Sequence, residues 1–292
     1  MDKRFSEEFR RGGSEILIKC CDGIESFCHG IEETNINSAE IVIDSLYRPD
    51  LVEFADKHPY QVLGNFFKFI HVTYVEKYRD LIGDFIDASN SKRYLTVALC
   101  GRSLIEATAS LRFYNNAVMK KVRISTKKDL DGIDFEFLRD ALDLATKHMH
   151  GSKLNWGDFF TSDKKTFVAK LVEKEKIRLR KEPPKKEDYV QSLPVAKFLD
   201  SWFDEDPELV ALAYNFYSEL VHPNLGSNLL LTGVAEGRVQ VGRESNRSVG
   251  KTICREAVTF LAPILKEASR QLAQSIMLSS LGNRIDPPEV KH

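Results

Sequence analysis

LTVALCGRSLIEATASL, residues 95–111, is apolar enough to form a helix in the middle of a helical bundle. Its hydrophobic positions follow helical spacing and are Leu95, Val97, Ala98, Leu99, Leu104, Ile105, Ala107 and Leu111. Within this run, Arg102 and Glu106 are four residues apart and share one face of the helix. Because an unpaired charge in a core is costly, these two side chains need each other or a polar partner on a second helix.

Helical spacing of apolar residues continues through most of the chain. The predicted helices cover residues 14–33, 38–57, 59–87, 92–119, 129–150, 193–203, 207–222 and 248–281. We expect the last helix to be disturbed near Pro263, since proline removes a helical hydrogen bond. Residues 229–234 and 238–241 have the pattern of a short β-hairpin. The sequence therefore predicts an all-α fold with a small β-hairpin before the last helix.

Composition narrows the class of protein. The chain has 292 residues, 42% of them hydrophobic, and a net charge of −1, which excludes a disordered tail, a fibre and a small disulfide scaffold. The charged beginning lacks the apolar core of a signal peptide, and no stretch reaches the roughly 18 apolar residues of a membrane helix. Five cysteines, an odd number, are typical of reduced thiols. We expect a cytoplasmic protein that does not enter membranes.

Residues 152–194 differ from the rest and are interpreted as an insertion in the bundle. Between Lys164 and Lys186, ten basic residues stand against three acidic ones, a local excess of +7. Such a segment is suited to RNA phosphates. The residues predicted to bind nucleic acid are Lys164, Lys165, Lys174, Arg178, Arg180, Lys185 and Lys186. The alternatives are a solvated connection, or an arm that docks on an acidic helix of the same chain.

YNFYSELVHPNLG, residues 214–226, ends a predicted helix with chemically useful side chains. His222 closes the helix, Pro223 ends it, and Asn224 suits the following turn. Tyr214 and Asn224 are predicted to form a structural pocket beside His222. One interpretation is a simple helix stop in which His222 satisfies a buried carbonyl. The other is a histidine held at a fixed helix end for acid–base work or phosphate contact, in one polar pocket with Arg102 and Glu106.

Three motifs together resemble a group of uncharacterised bacterial helical proteins. They are Arg102-Ser103-Leu104-Ile105-Glu106, the loop from Gly151 to Phe160, and the helix end from Tyr217 to Asn224, which reads Tyr-Ser-Glu-Leu-Val-His-Pro-Asn. The bundle of that group is similar to HEPN domains, four- or five-helix units found in ribonucleases of toxin–antitoxin and antiviral systems. The resemblance covers residues 92–281.

The resemblance implies a domain organisation. Residues 1–90 would be an N-terminal helical extension, and residues 91–282 a HEPN-like bundle with the basic insertion 152–194 and a hairpin at 228–243. Residues 283–292 would be a tail. Relatives with HEPN domains often dimerise through their histidine helices, so the resemblance also implies a homodimer.

The resemblance leaves three functions open. The first is a binding or regulatory protein in bacterial defence or stress response, which contacts RNA or a protein partner. The second is a metal-independent endoribonuclease with His222 as acid or base, Arg102 on the phosphate, and Glu106 and Tyr217 orienting them. The third is a purely structural interaction module. Catalytic HEPN ribonucleases carry an arginine separated from the histidine by four to six residues, and here Asn215, Phe216 and Tyr217 occupy those positions.

No cofactor or metal is expected. Cys20, Cys21, Cys28 and His29 lie within one predicted helix and lack the second close pair of ligands that a structural zinc site needs. Buried core cysteines are the better interpretation. The stretch Ser248 to Thr252 resembles the end of a phosphate-binding loop, but Ser245 stands where that motif requires glycine.

Overall fold

The computed structural model describes residues 4–33, 58–126, 195–222, 232–235, 238–241 and 247–280, and the single positions 140, 169, 172 and 173. This part of the chain is almost entirely helical, as the sequence predicts. Its helices are α1 (Glu7–Arg10), α2 (Glu15–Glu33), α3 (Pro59–Asn90), α4 (Tyr94–Thr126), α5 (Val195–Phe203), α6 (Pro207–Val221) and α7 (Arg247–Ser279).

Helix α4 lies at the centre of the bundle and packs against α3, α5, α6 and α7. Its residues Val97, Ala98 and Leu104 are completely buried, which confirms the central position predicted for this helix. The largest fully buried side chains come from the N-terminal segment and from helices throughout the described chain, and are Phe5, Phe9, Ile24, Leu63, Phe67, Ile70, Tyr78, Ile82, Phe85, Leu104, Ile105 and Tyr217. A single hydrophobic core therefore joins the described helices.

Part of α4 differs from the prediction. Leu95 and Leu99 are 43% and 53% exposed, although their spacing assigned them to the core. These residues are four apart and therefore share one helix face. None of the described helices covers that face near the beginning of α4. The apolar residues there therefore occupy more of the helix surface than the part that is buried.

Most helix ends agree with the sequence signals. Helix α6 begins at Pro207, and the Asp206 side chain accepts a hydrogen bond from the Leu209 N–H at 3.4 Å, as an N-cap does. Helix α3 continues to Asn90, three residues beyond its predicted end at residue 87, and Lys92 makes the turn to α4 with a positive φ of 59°. Helix α7 continues through Pro263 and is not interrupted there.

The N-terminal segment is fastened to the bundle by a buried carboxylate. Glu25 on α2 is 5% exposed and accepts hydrogen bonds from the backbone N–H groups of Arg4 and Phe5, both at 2.8 Å. The Arg10 guanidinium donates to the same carboxylate at 2.6 Å. Arg255 on α7 donates to backbone carbonyls of this segment at 2.6 Å. These bonds hold α1 against α2 and α7.

Two short strands precede α7. β1 (Thr232–Ala235) and β2 (Arg238–Val241) pair antiparallel, with Thr232 opposite Val241 and Ala235 opposite Arg238. The residues between the two strands lie outside the described part of the chain. The helix predicted at 38–57 also lies outside it, and of the helix predicted at 129–150 the structure describes residue 140 alone.

Candidate functional site

Arg102, Glu106 and Tyr214 form a polar cluster between α4 and α6. The Arg102 Nε donates to Glu106 Oε1 at 2.9 Å, and the Tyr214 hydroxyl donates to the same oxygen at 3.2 Å. The Arg102 guanidinium carbon also lies 5.3 Å from the centroid of the Tyr214 ring. Arg102 and Glu106 are half-buried, at 30% and 29% exposed. Tyr214 is thus the polar partner from a second helix that the charged pair requires.

The electrostatics of this cluster favour a bound, paired arginine. The hydrogen bond to Glu106 raises the pKa of Arg102, which is charged at every physiological pH in any case. The Glu106 carboxylate neutralises that charge and accepts two of the cluster's hydrogen bonds. A phosphate that approached Arg102 would therefore compete with an existing ion pair.

Tyr217 lies in the core and not in this cluster. It is completely buried, and its hydroxyl donates to the Ala257 backbone carbonyl on α7 at 2.6 Å. Burial raises its pKa well above the usual value, so the hydroxyl stays protonated. The bond fastens α6 to α7. The orienting role predicted for Tyr217 would require this hydroxyl to leave Ala257.

His222 lies at the end of α6, where its backbone N–H donates to the Ser218 carbonyl at 2.9 Å. Its side chain is exposed to solvent. It lies eight positions after Tyr214, which corresponds to about 12 Å along a helix. The guanidinium of Arg102 lies against Tyr214, so the structure gathers Arg102, Glu106 and Tyr214 and places His222 further along α6.

The segment that carries His222 is acidic in sequence. Residues 195–222 contain six acidic residues and one basic residue, Lys197, and Glu219 is within one helical turn of His222. RNA binding depends on neutralising phosphate charge, so a segment of net negative charge does not favour it. The exposure of His222 meets one requirement of an acid–base catalyst, and the net charge of its segment does not favour a phosphate substrate.

A groove borders the other side of the polar cluster. It has a volume of about 420 Å³, lies between α3, α4 and α5, and is lined in part by Glu106, Ser110 and Tyr74. The Tyr74 hydroxyl donates to Ser110 Oγ at 3.1 Å, and burial raises the pKa of Tyr74 to about 12. Tyr74 therefore offers a protonated hydroxyl near neutral pH, and its proton is unsuited to acid–base exchange.

Two features of the structure were not predicted. Arg112 on α4 is 4% exposed and pairs with Glu205 and Glu267, and its guanidinium lies 5.7 Å from the Trp202 ring centroid. An arginine in an apolar helical stretch is a signal that could have indicated such a buried pair. His71 on α3 is 9% exposed inside an apolar cavity, and a single histidine in a helix has no pattern that would reveal this.

The remaining predicted site residues lie outside the described chain. They are Asn224 and the basic residues Lys164, Lys165, Lys174, Arg178, Arg180, Lys185 and Lys186. Among the side chains that the structure describes, no group of three or more His, Cys, Asp or Glu residues is placed to hold a metal ion. Of the described helices, none combines the length and the apolar character that crossing a membrane requires.

Comparison of the chain with protein-family models, curated proteins and solved structures gives no match.

Proposed function

We propose that this protein is a helical binding module that contacts RNA through the basic segment 164–186 and does not cleave it with Arg102. Its bundle in this proposal is HEPN-like, with a hairpin at 228–243 before the last helix. The part of the proposal that excludes cleavage by Arg102 rests on the engagement of Arg102 by Glu106 and Tyr214. Arg102, held in this way, stabilises the contact between α4 and α6. A ribonuclease needs instead a cation that is directed at the scissile phosphate.

The RNA contact rests on charge. Residues 164–186 carry an excess of +7, whereas the whole chain has a net charge of −1. Lysine and arginine that neutralise phosphates release counterions, so binding weakens steeply with salt. The segment contains one aromatic residue, Phe167, so base stacking contributes little and sequence preference should be weak.

The test measures RNA binding at several salt concentrations for two charge-matched variants. The first changes Lys164, Lys165, Lys185 and Lys186 to Gln, and the second makes the same change at the exposed residues Lys68, Lys77, Lys120 and Lys266. We expect the first variant to bind at least tenfold more weakly, with a salt slope lower by about 3. The control should stay within threefold of wild type. Equal losses in both variants, or no binding by wild type, would contradict the proposal.

A metal-independent ribonuclease that uses His222 is the second candidate. The exposed position of His222 supports it, because an acid–base catalyst must reach its substrate. Its phosphate contact would have to come from residues other than Arg102. Cleavage that depends on His222 separates this candidate from the first.

A further inference from the structure

A second cavity lies between α2, α3 and α7, and none of the polar-cluster residues Arg102, Glu106 and Tyr214 lines it. Its volume is about 660 Å³, within the usual range of small-molecule sites. Most of its lining is apolar or small, and these residues are Cys20, Gly23, Phe27, Gly30, Ile31, Val75, Ala262, Pro263, Leu265, Leu272, Ala273 and Ile276. The cavity therefore suits an apolar molecule of moderate size.

Two glycines keep the α2 side of the cavity open. A Cβ atom placed on Gly23 or Gly30 would meet no other atom of the described chain within 4 Å. Glycine weakens a helix relative to alanine, so these positions lower the stability of α2 without relieving any contact. Their effect is to leave a smooth backbone surface against which a ligand can pack.

His71 supplies the polar group of this cavity. Its side chain is 9% exposed and lines the cavity, and neither ring nitrogen forms a hydrogen bond of acceptable geometry with the described residues. Burial lowers the pKa of His71, and the nearby Leu272 backbone offsets part of this effect, so the imidazole is neutral. Buried polar side chains are normally hydrogen-bonded. A neutral imidazole has one N–H to donate, and a ligand oxygen can accept it.

The positive charges at the rim of the cavity favour an anionic ligand. Lys19 and Lys266 line the cavity, and of the described residues that line it none is acidic. Lys19 pairs with Glu15 at 2.7 Å, but both side chains are more than 70% exposed, so the pair is weak and readily exchanged. Two cations at the mouth of an apolar cavity attract an anion.

We propose that this cavity binds a small amphipathic carboxylate. The apolar body lies between α2 and α7, and a carboxylate oxygen accepts the hydrogen bond of His71. The lysines at the rim favour entry of the anion. This site is independent of RNA binding and of His222.

Decanoate, below its critical micelle concentration, is the probe, and calorimetry measures its binding. Gly30→Leu fills the cavity, His71→Phe removes the hydrogen bond, and Gly83→Leu is the matched control. A Cβ atom placed on Gly83 of α3 would likewise meet no described atom within 4 Å, and Gly83 does not line the cavity. Each leucine replaces a helical glycine, so both variants should melt at or above the wild-type temperature.

We expect saturable binding of decanoate at one site, a loss of at least tenfold in His71→Phe, and loss of detectable binding in Gly30→Leu. Gly83→Leu should bind like wild type, and decanol at least fivefold more weakly than decanoate. Melting curves show that each variant is folded. Absence of saturable binding by wild type, wild-type affinity in Gly30→Leu or His71→Phe, or equal affinity for decanol would overturn the proposal.

Discussion

Gly101 on α4 packs directly against the ring of Tyr217 on α6. A Cβ atom at Gly101 would lie 2.4 Å from Cε1 and 2.5 Å from Cζ of that ring. The ring cannot move aside, because Tyr217 is fully buried and its hydroxyl is bonded to Ala257. Glycine at this position therefore sets the distance between the two helices.

Replacing Gly101 with Ala should destabilise the protein. In an ordinary helix this change stabilises by about 0.5–1 kcal/mol. Here we expect the overpacking to dominate, with a net loss of about 1–3 kcal/mol in the free energy of unfolding. Urea denaturation measures it, with Gly83→Ala as the control, where a Cβ atom meets no described atom and stability should rise. A Gly101→Ala variant as stable as the control would contradict this packing.

Tyr217→Phe tests whether the buried hydroxyl is structural. The change removes the hydrogen bond to the Ala257 carbonyl and keeps the ring, so we expect a loss of about 0.5–1.5 kcal/mol of stability. RNA binding should be unchanged at temperatures where the variant is folded. Any RNA cleavage by the wild type that disappears in a folded Tyr217→Phe variant would instead support the orienting role predicted for this residue.

Arg112 and Arg270 contact the same carboxylate, Glu267, from a buried and an exposed position. Their side chains are 4% and 58% exposed. Arg112→Met removes the ion pairs of a buried guanidinium with two carboxylates, and we expect a loss of about 1.5–3 kcal/mol, the range for hydrogen bonds to charged groups. Arg270→Met removes an exposed pair and should change stability by less than about 1 kcal/mol. Chemical denaturation of both variants measures the difference, and equal effects would contradict the burial of Arg112.

Because several thiols are buried, we expect the stability of the folded protein to decrease at alkaline pH. Burial raises the pKa of Cys21 and Cys254 to about 12 and that of Cys28 to about 11, from an ordinary value of 9.0. The unfolded chain therefore releases these protons first. The stabilisation is complete below about pH 9 and decreases as pH rises towards the folded pKa values, by up to about 1.4 kcal/mol per pH unit for each thiol.

Urea midpoints from pH 7 to 11 measure this effect. We expect a nearly constant midpoint up to pH 8.5 and a fall above pH 9, with a shallower fall in Cys254→Ala. A Cys254→Ala variant whose stability falls as steeply with pH as wild type would show that this thiol does not contribute.

The helices were predictable because their signals are local. The predicted start of α6 at residue 207 agrees with the structure, where Asp206 is the N-cap, and the apolar period of α2 predicted its extent. Helix α4 continues seven residues beyond its predicted end at residue 119. The exposure of Leu95 and Leu99 was not predictable, since periodicity shows which residues share a face and not whether another helix covers it. Continuation of α7 through Pro263 likewise depends on packing along both halves of that helix.

The candidate site was predictable only in part, for the same reason. The Arg102–Glu106 pair follows from spacing within one helix. Its partner Tyr214 is 108 residues from Glu106, and spacing along the chain does not determine which face of α6 meets α4. Arg102 extends towards Tyr214, and His222 lies further along α6. The packing of α6 on α4 sets this direction.

RNA cleavage without metal ions, measured beside RNA binding, decides whether this protein binds RNA without cleaving it. Labelled single-stranded RNA is incubated with excess wild-type protein, His222→Ala and Arg102→Gln in the presence of a chelator. We predict that wild type retains the RNA intact in a complex and that neither substitution changes the amount of intact RNA. Cleavage by wild type that is lost in a folded His222→Ala or Arg102→Gln variant would contradict RNA binding without cleavage and identify the protein as a ribonuclease.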